Sequence, residues 1–169
     1  MKKENKILDF FITTLNGMAY GLFATLIIGT IIGSIGGLFP DTEFNNILKQ
    51  TSSLLSNLTG AGIGIGVALA LKADSLKTIV LASVGEISSY FSLTTKFVND
   101  GTITNSMKIG DPLTIYLVVI ITALLLKLIF QKKTPVDILL VPLCGISLGL
   151  IFSLLVRYPT IYVTYGIQY

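Results

Sequence analysis

Long apolar runs alternate with short polar clusters along this chain. Each run is close to the roughly 20 helical residues needed to cross a hydrocarbon core of about 30 Å. The pattern predicts an all-α integral membrane protein with about five transmembrane helices, at residues 16–39, 54–71, 75–93, 112–130 and 136–156. Together these make a transmembrane domain over residues 16–156, followed by a tyrosine-rich interfacial tail at 157–169. Residues 1–15 read as a basic end plus an amphipathic segment, with Ile7, Leu8, Phe11, Ile12 and Leu15 on one helical face. Such a segment suits the cytoplasmic membrane surface.

The connections carry their own signals. Gly36 and Gly37 weaken the end of the first span, and Pro40 stops it. Residues 41–53 are polar, yet Phe44, Ile47, Leu48, Leu54, Leu55 and Leu58 keep helical spacing, so an amphipathic helix leads into the second span. Asn99-Asp100-Gly101 is a turn sequence inside a loop over 94–111. Asp111-Pro112 opens the fourth span as N-cap and first helical residue. Thr134-Pro135-Val136-Asp137 opens the fifth as a capping box, and Pro142 should kink that helix near Ile138.

Charge counting gives an orientation. Taking alternate connections from the N-terminus, one set holds eight basic residues: Lys2, Lys3, Lys6, Lys72, Lys77, Lys127, Lys132 and Lys133. The other holds four: Lys49, Lys96, Lys108 and Arg157. The richer set belongs in the cytoplasm, which places the N-terminus inside.

Composition removes several alternatives. Charged residues are 12% of the chain and mean hydropathy is +0.81, against about 25% charged in soluble domains. The net charge of +3 is spread over the connections without forming a patch, so no nucleic-acid partner is expected. No histidine is present, and Cys144 is the sole cysteine. The chain therefore has no metal cluster, no internal disulfide, no histidine-based triad and no catalytic residue of its own, and no cofactor is expected.

Glycine supplies the clearest pattern. Gly17, Gly21, Thr25, Gly29, Gly33 and Gly37 recur every four residues in the first span. Small residues at this spacing let a neighbouring helix come close. Packing within one bundle is the simpler reading, with a homo-oligomer seam as the other. Gly60, Gly62, Gly64 and Gly66 form two such pairs on opposite faces of the second span. Two readings stay open there: close packing on both faces, or a local break near Asn57 and Thr59 that lines a substrate site. Glu86 lies near the middle of the third span, with Ser83, Ser89 and Tyr90 on its side of the helix. A carboxylate at that depth must face protein or a polar cavity. It is read either as a substrate acceptor or as a structural acid. Asn57, Thr59, Gly60, Gly62, Gly64, Gly66, Ser83, Glu86 and Tyr90 thus form the candidate substrate-binding set. Lys127 is expected to snorkel to the cytoplasmic surface, and Asn16 to cap the first span.

Three stretches resemble one bacterial membrane family. They are Leu15-Asn16-Gly17-Met18-Ala19 running into Gly21-Leu22-Phe23-Ala24-Thr25, then Gly60 to Ala68, then Gly110-Asp111-Pro112 with Val136-Asp137-Ile138 and Val141-Pro142-Leu143. In this order and spacing they resemble the N-terminal half of the phosphotransferase-system enzyme IIC family of the second type, which includes perfringolysin O regulator-like membrane proteins. The resemblance implies a multi-pass subunit of the bacterial cytoplasmic membrane that binds and moves a sugar. Soluble partner components would carry phosphate from phosphoenolpyruvate to that sugar. Members about twice this length would add a second, inverted half, because an odd number of spans reverses the second repeat. Partners implied are the lipid bilayer, a small polar solute, a second half or homo-oligomer, and soluble phosphotransferase components. A membrane regulator or scaffold without transport, and a truncated remnant, are the other readings.

Overall fold

The computed structural model describes residues 6–39, 42–91, 96–97, 103–104, 111–131 and 134–167, with backbone alone at 96–97, 103–104 and 157–167. It is built of helices α1 (Lys6–Leu22), α2 (Ile28–Gly36), α3 (Glu43–Asn57), α4 (Thr59–Ala70), α5 (Ser75–Phe91), α6 (Pro112–Ile129) and α7 (Asp137–Ile167). A π-helical turn, Phe23–Ile27, joins α1 to α2, so Lys6–Gly36 is one helix of 31 residues. Between α5 and α6, Lys96–Phe97 and Ile103–Thr104 pair as a two-residue antiparallel ladder, β1 and β2. The Asn99-Asp100-Gly101 turn, Pro40, Lys132, Lys133 and residues 1–5 lie outside the described residues.

Among the described residues, three helices are long and apolar enough to cross a membrane: Lys6–Gly36, Pro112–Ile129 and Asp137–Val156. A fourth candidate is the pair α3 and α4, bent by 48° where they meet. With 17 residues, α5 spans about 26 Å, slightly less than the apolar core of a bilayer. Outward-facing Leu113, Leu117, Leu124 and Leu128 on α6, and Leu139, Leu143, Leu150 and Leu154 on α7, give the bundle an apolar outer surface. A surface of that kind belongs in lipid.

The helix starts follow their side chains. Asp111 accepts from the Thr114 amide at 3.2 Å and its hydroxyl at 2.9 Å, with Pro112 in the first turn. Asp137 accepts from the Thr134 amide at 2.8 Å, and the Thr134 hydroxyl also donates to it. Thr42 caps α3 by accepting from Asn45 N at 3.1 Å. From Asp137, α7 runs through Pro142 as one helical element and stays helical to Ile167.

The turn from α4 to α5 is a Schellman motif: Ala73 N donates to Ala68 O at 2.9 Å, and Lys72 N to Leu69 O at 3.0 Å. Lys72 occupies the left-handed position at φ 52°. A side chain there costs about 1–2 kcal/mol. Lys72→Gly is expected to raise stability by about 1 kcal/mol, read by denaturant titration in detergent. A loss of stability would mean that the Lys72 ammonium matters more than the strain.

Packing is organised by glycine. α1 and α4 run antiparallel with their backbones in contact. A Cβ on Gly17 would collide with the Gly66 carbonyl, one on Gly21 with that of Gly62, and one on Gly66 with that of Gly17. The opposite face of α4 does the same against α5, where Gly60 meets Gly85 and Gly64 meets Leu81. Gly145 and Gly149 on α7 admit Val80 and Val84 of α5. The apolar core lies between α4, α5, α6 and α7, around Ile63, Val67, Leu81, Val84, Ile115, Val119 and Leu126. A hydrogen bond of 2.8 Å between the Thr14 and Tyr116 hydroxyls fastens α1 to α6.

α2 packs on α3 through small and polar groups. Gly29 faces Leu55 and Ser56, Gly33 faces Ser52, and Gly36 faces Leu48 and Asn45. Phe44, Ile47, Leu54 and Leu58 point outward. This reverses the soluble rule, because lipid solvates an apolar face as well as another helix does, and small residues permit closer approach. Gly37 meets only carbonyls of its own last turn, at 3.4 Å and beyond. Gly37 is the C-cap, one residue past the end of α2, where the chain leaves the helix.

Candidate functional site

The bend between α3 and α4 falls at Leu58, one residue before the first of the glycine-rich turns. Residues 59–70 are regular helix despite their glycines. A helix that starts at a bend exposes amides with no preceding turn to receive them. Glu86 answers this from α5: its Oε2 accepts from the Ala61 amide at 3.1 Å. The carboxylate thus caps the N-terminus of α4, where the helix dipole also favours negative charge.

Depth follows from helix length. Glu86 lies 11 residues beyond Ser75, about 17 Å along α5. Thr59 lies about 17 Å from Ala70 at the other end of α4. Helix break and carboxylate therefore lie at the same level, about 17 Å from the α4–α5 turn.

More polar groups gather at this level. Thr59 is fully buried; its hydroxyl donates to Ser56 O at 2.8 Å and sits 3.4 Å from the Thr25 hydroxyl. Thr25 is in the π-helical turn and donates to Gly21 O at 2.9 Å. A π-helical turn widens the helix and often marks a functional position. Ser89 is buried beside Gly60.

Of the residues read from the sequence, the structure brings Thr59, Gly60 and Glu86 to the break. Gly62 and Gly66 face α1, while Gly64 faces Leu81. Asn57 is exposed as the last residue of α3. Ser83 is half-buried, and its hydroxyl donates to Ile79 O at 3.2 Å. Tyr90 is exposed, with its ring edge-on to Phe91 at 5.4 Å. Asn16 is exposed and borders a cavity of about 430 Å³ with Tyr20, Gly66 and Ala70. Cys144 is half-buried in α7.

Sequence reasoning passed over Leu58 and the Ala61 amide, and it counted Thr25 only as a small residue. A threonine in a glycine stripe was the available signal, since its hydroxyl bonds the carbonyl one turn back. The Ala61 amide has no sequence signal, because any residue except proline carries one. Gly145 and Gly149 were legible as a four-residue pair.

A family model described as "Phosphotransferase system, EIIC" matches residues 12–167. No curated protein and no solved structure matches the chain.

Proposed function

The chain belongs to the phosphotransferase system EIIC family, and from this premise we propose that it is a permease-type membrane subunit that binds and moves a sugar or similar small polar solute. One observation supports this most directly: the Glu86 carboxylate lies on the Ala61 amide at the helix break. An ionised carboxylate offers about four acceptor positions. Ala61 uses one, which leaves acceptors for solute hydroxyls. Helix breaks with capped termini are where many transporters bind polar cargo. Thr25, Thr59 and Ser89 add hydroxyls at the same level.

In this reading the chain supplies binding and passage alone, and soluble partners carry phosphate. Its five spans are Lys6–Gly36, the bent pair α3–α4, α5, α6 and α7, in the bacterial cytoplasmic membrane with the N-terminus inside. An odd number of spans suits pairing with an inverted second half or a second copy, which would close the site from the side that α3 leaves open.

Reconstituted vesicles test the reading. Labelled sugars should enter only when phosphoenolpyruvate and the soluble phosphotransferase components are present on the cytoplasmic side. Protease on that same side should reach the Lys72–Lys77 connection. No uptake of any sugar, with the protein folded and correctly oriented, would favour a regulatory or scaffold role instead.

A further inference from the structure

We infer that the end of the bundle bearing the N-terminus holds a binding site for one anionic phospholipid, between α1, α4, α5 and α6. A cavity of about 460 Å³ opens there, lined by Phe10 of α1, Lys72 at the α4–α5 turn, Lys77 and Leu81 of α5, and Leu124 and Lys127 of α6. Three of its lining residues are cationic and one, Asp74, is anionic. Lys77 is engaged already: its Nζ lies 3.6 Å from Asp74 Oδ2 and donates to Phe130 O at 3.2 Å. Lys72 and Lys127 are exposed, and their ammonium groups have no hydrogen bond or ion pair among the described residues. The cavity thus carries two uncompensated positive charges.

Shape and height select the ligand. The cations stand at the bundle end where α4 and α6 finish and α5 begins, which is where a span leaves the hydrocarbon. Below them the walls are apolar, formed by Phe10, Leu81 and Leu124. A phosphodiester headgroup would meet Lys72 and Lys127 while its acyl chain covers those apolar walls. A dissolved phosphate would use the same cations and leave the walls wet. Basic cavities between helices at this height suit anionic lipid headgroups. The left-handed turn at Lys72 fixes where its side chain leaves the backbone at the rim of the cavity. The site rests on placement in the membrane and stands whether or not the chain transports anything.

The test uses the full chain, delipidated in neutral detergent, with three separate additions: phosphatidylglycerol, phosphatidylcholine and inorganic phosphate. Native mass spectrometry and thermal unfolding read the binding. Phosphatidylglycerol should stay bound and raise the unfolding temperature, and the other two should do neither. Each lysine lost should weaken phosphatidylglycerol binding about fivefold, so Lys72→Gln with Lys127→Gln should weaken it about 30-fold. If the double variant misfolds by circular dichroism, Lys127→Gln alone, on an exposed face of α6, should still show the fivefold loss. Phosphatidylglycerol binding unchanged in the folded variants would overturn the site. An equal response to inorganic phosphate would make it a simple anion site and overturn the lipid assignment.

Discussion

Gly66→Ala is expected to destabilise the protein by about 2–3 kcal/mol, although it adds a single methyl group. The new Cβ would collide with the carbonyl oxygen of Gly17, which is backbone and cannot rotate away. To relieve the overlap, α4 must move off α1, and the contact at Gly21 and Gly62 opens with it. Helix association in lipid depends on close packing, since no hydrophobic force pulls the helices together again. Gly37→Ala is the matched control. Its Cβ would meet nothing nearer than 3.4 Å, and alanine is the better helix former by about 1 kcal/mol. Unfolding in increasing sodium dodecyl sulfate, followed by circular dichroism, should separate the two clearly. Equal midpoints for Gly66→Ala and Gly37→Ala would show that the α1–α4 seam is not where close contact is needed.

Glu86→Gln and Glu86→Ala are expected to part company. Glutamine keeps an oxygen for the Ala61 amide, so the cap on α4 survives, but the charge and half of the acceptor capacity are lost. Alanine removes the cap as well and should cost about 1–3 kcal/mol of stability. If Glu86 also receives solute hydroxyls, Glu86→Gln should retain the parent's unfolding midpoint and lose at least tenfold in solute affinity. Losing one charged hydrogen bond in a water-poor site is worth about that much. Normal solute binding by a stable Glu86→Gln protein would leave Glu86 as a cap alone. The substrate site would then have to be sought on the exposed face of α3.

Some of this was written plainly in the chain. The apolar runs dictate membrane helices because a backbone in lipid must satisfy its own hydrogen bonds, and length alone decides whether a run can cross. The capping roles of Asp111 and Asp137 were legible because they depend on neighbours three residues away. Paired glycines on opposite faces of residues 60–66 were legible as surfaces for two neighbours, since helical spacing is a local property.

Other features depended on the assembled bundle. Sequence spacing cannot show that Gly17 and Gly21 face Gly66 and Gly62, because partner choice depends on the fit of two distant surfaces. The stripe counted in fours divides between two partners, Gly17 and Gly21 against α4 and Gly29 and Gly33 against α3, and it ends on Gly36 because Gly37 lies past the end of α2. α3 sets Ser52 and Ser56 beside Leu48 and Leu55 against the glycines of α2 and leaves Phe44, Ile47 and Leu54 outside, because close approach of two helices favours small groups at the contact. Glu86 was visible as a costly charge in a span, but its partner is a backbone amide 25 residues away, which no side-chain pattern marks. Local chemistry thus marked the helix starts at Asp111 and Asp137, whereas the first helix begins at Lys6 and carries Asn16 in its middle. The bundle decided which faces meet and what the buried carboxylate caps, because those contacts join residues that only folding brings together.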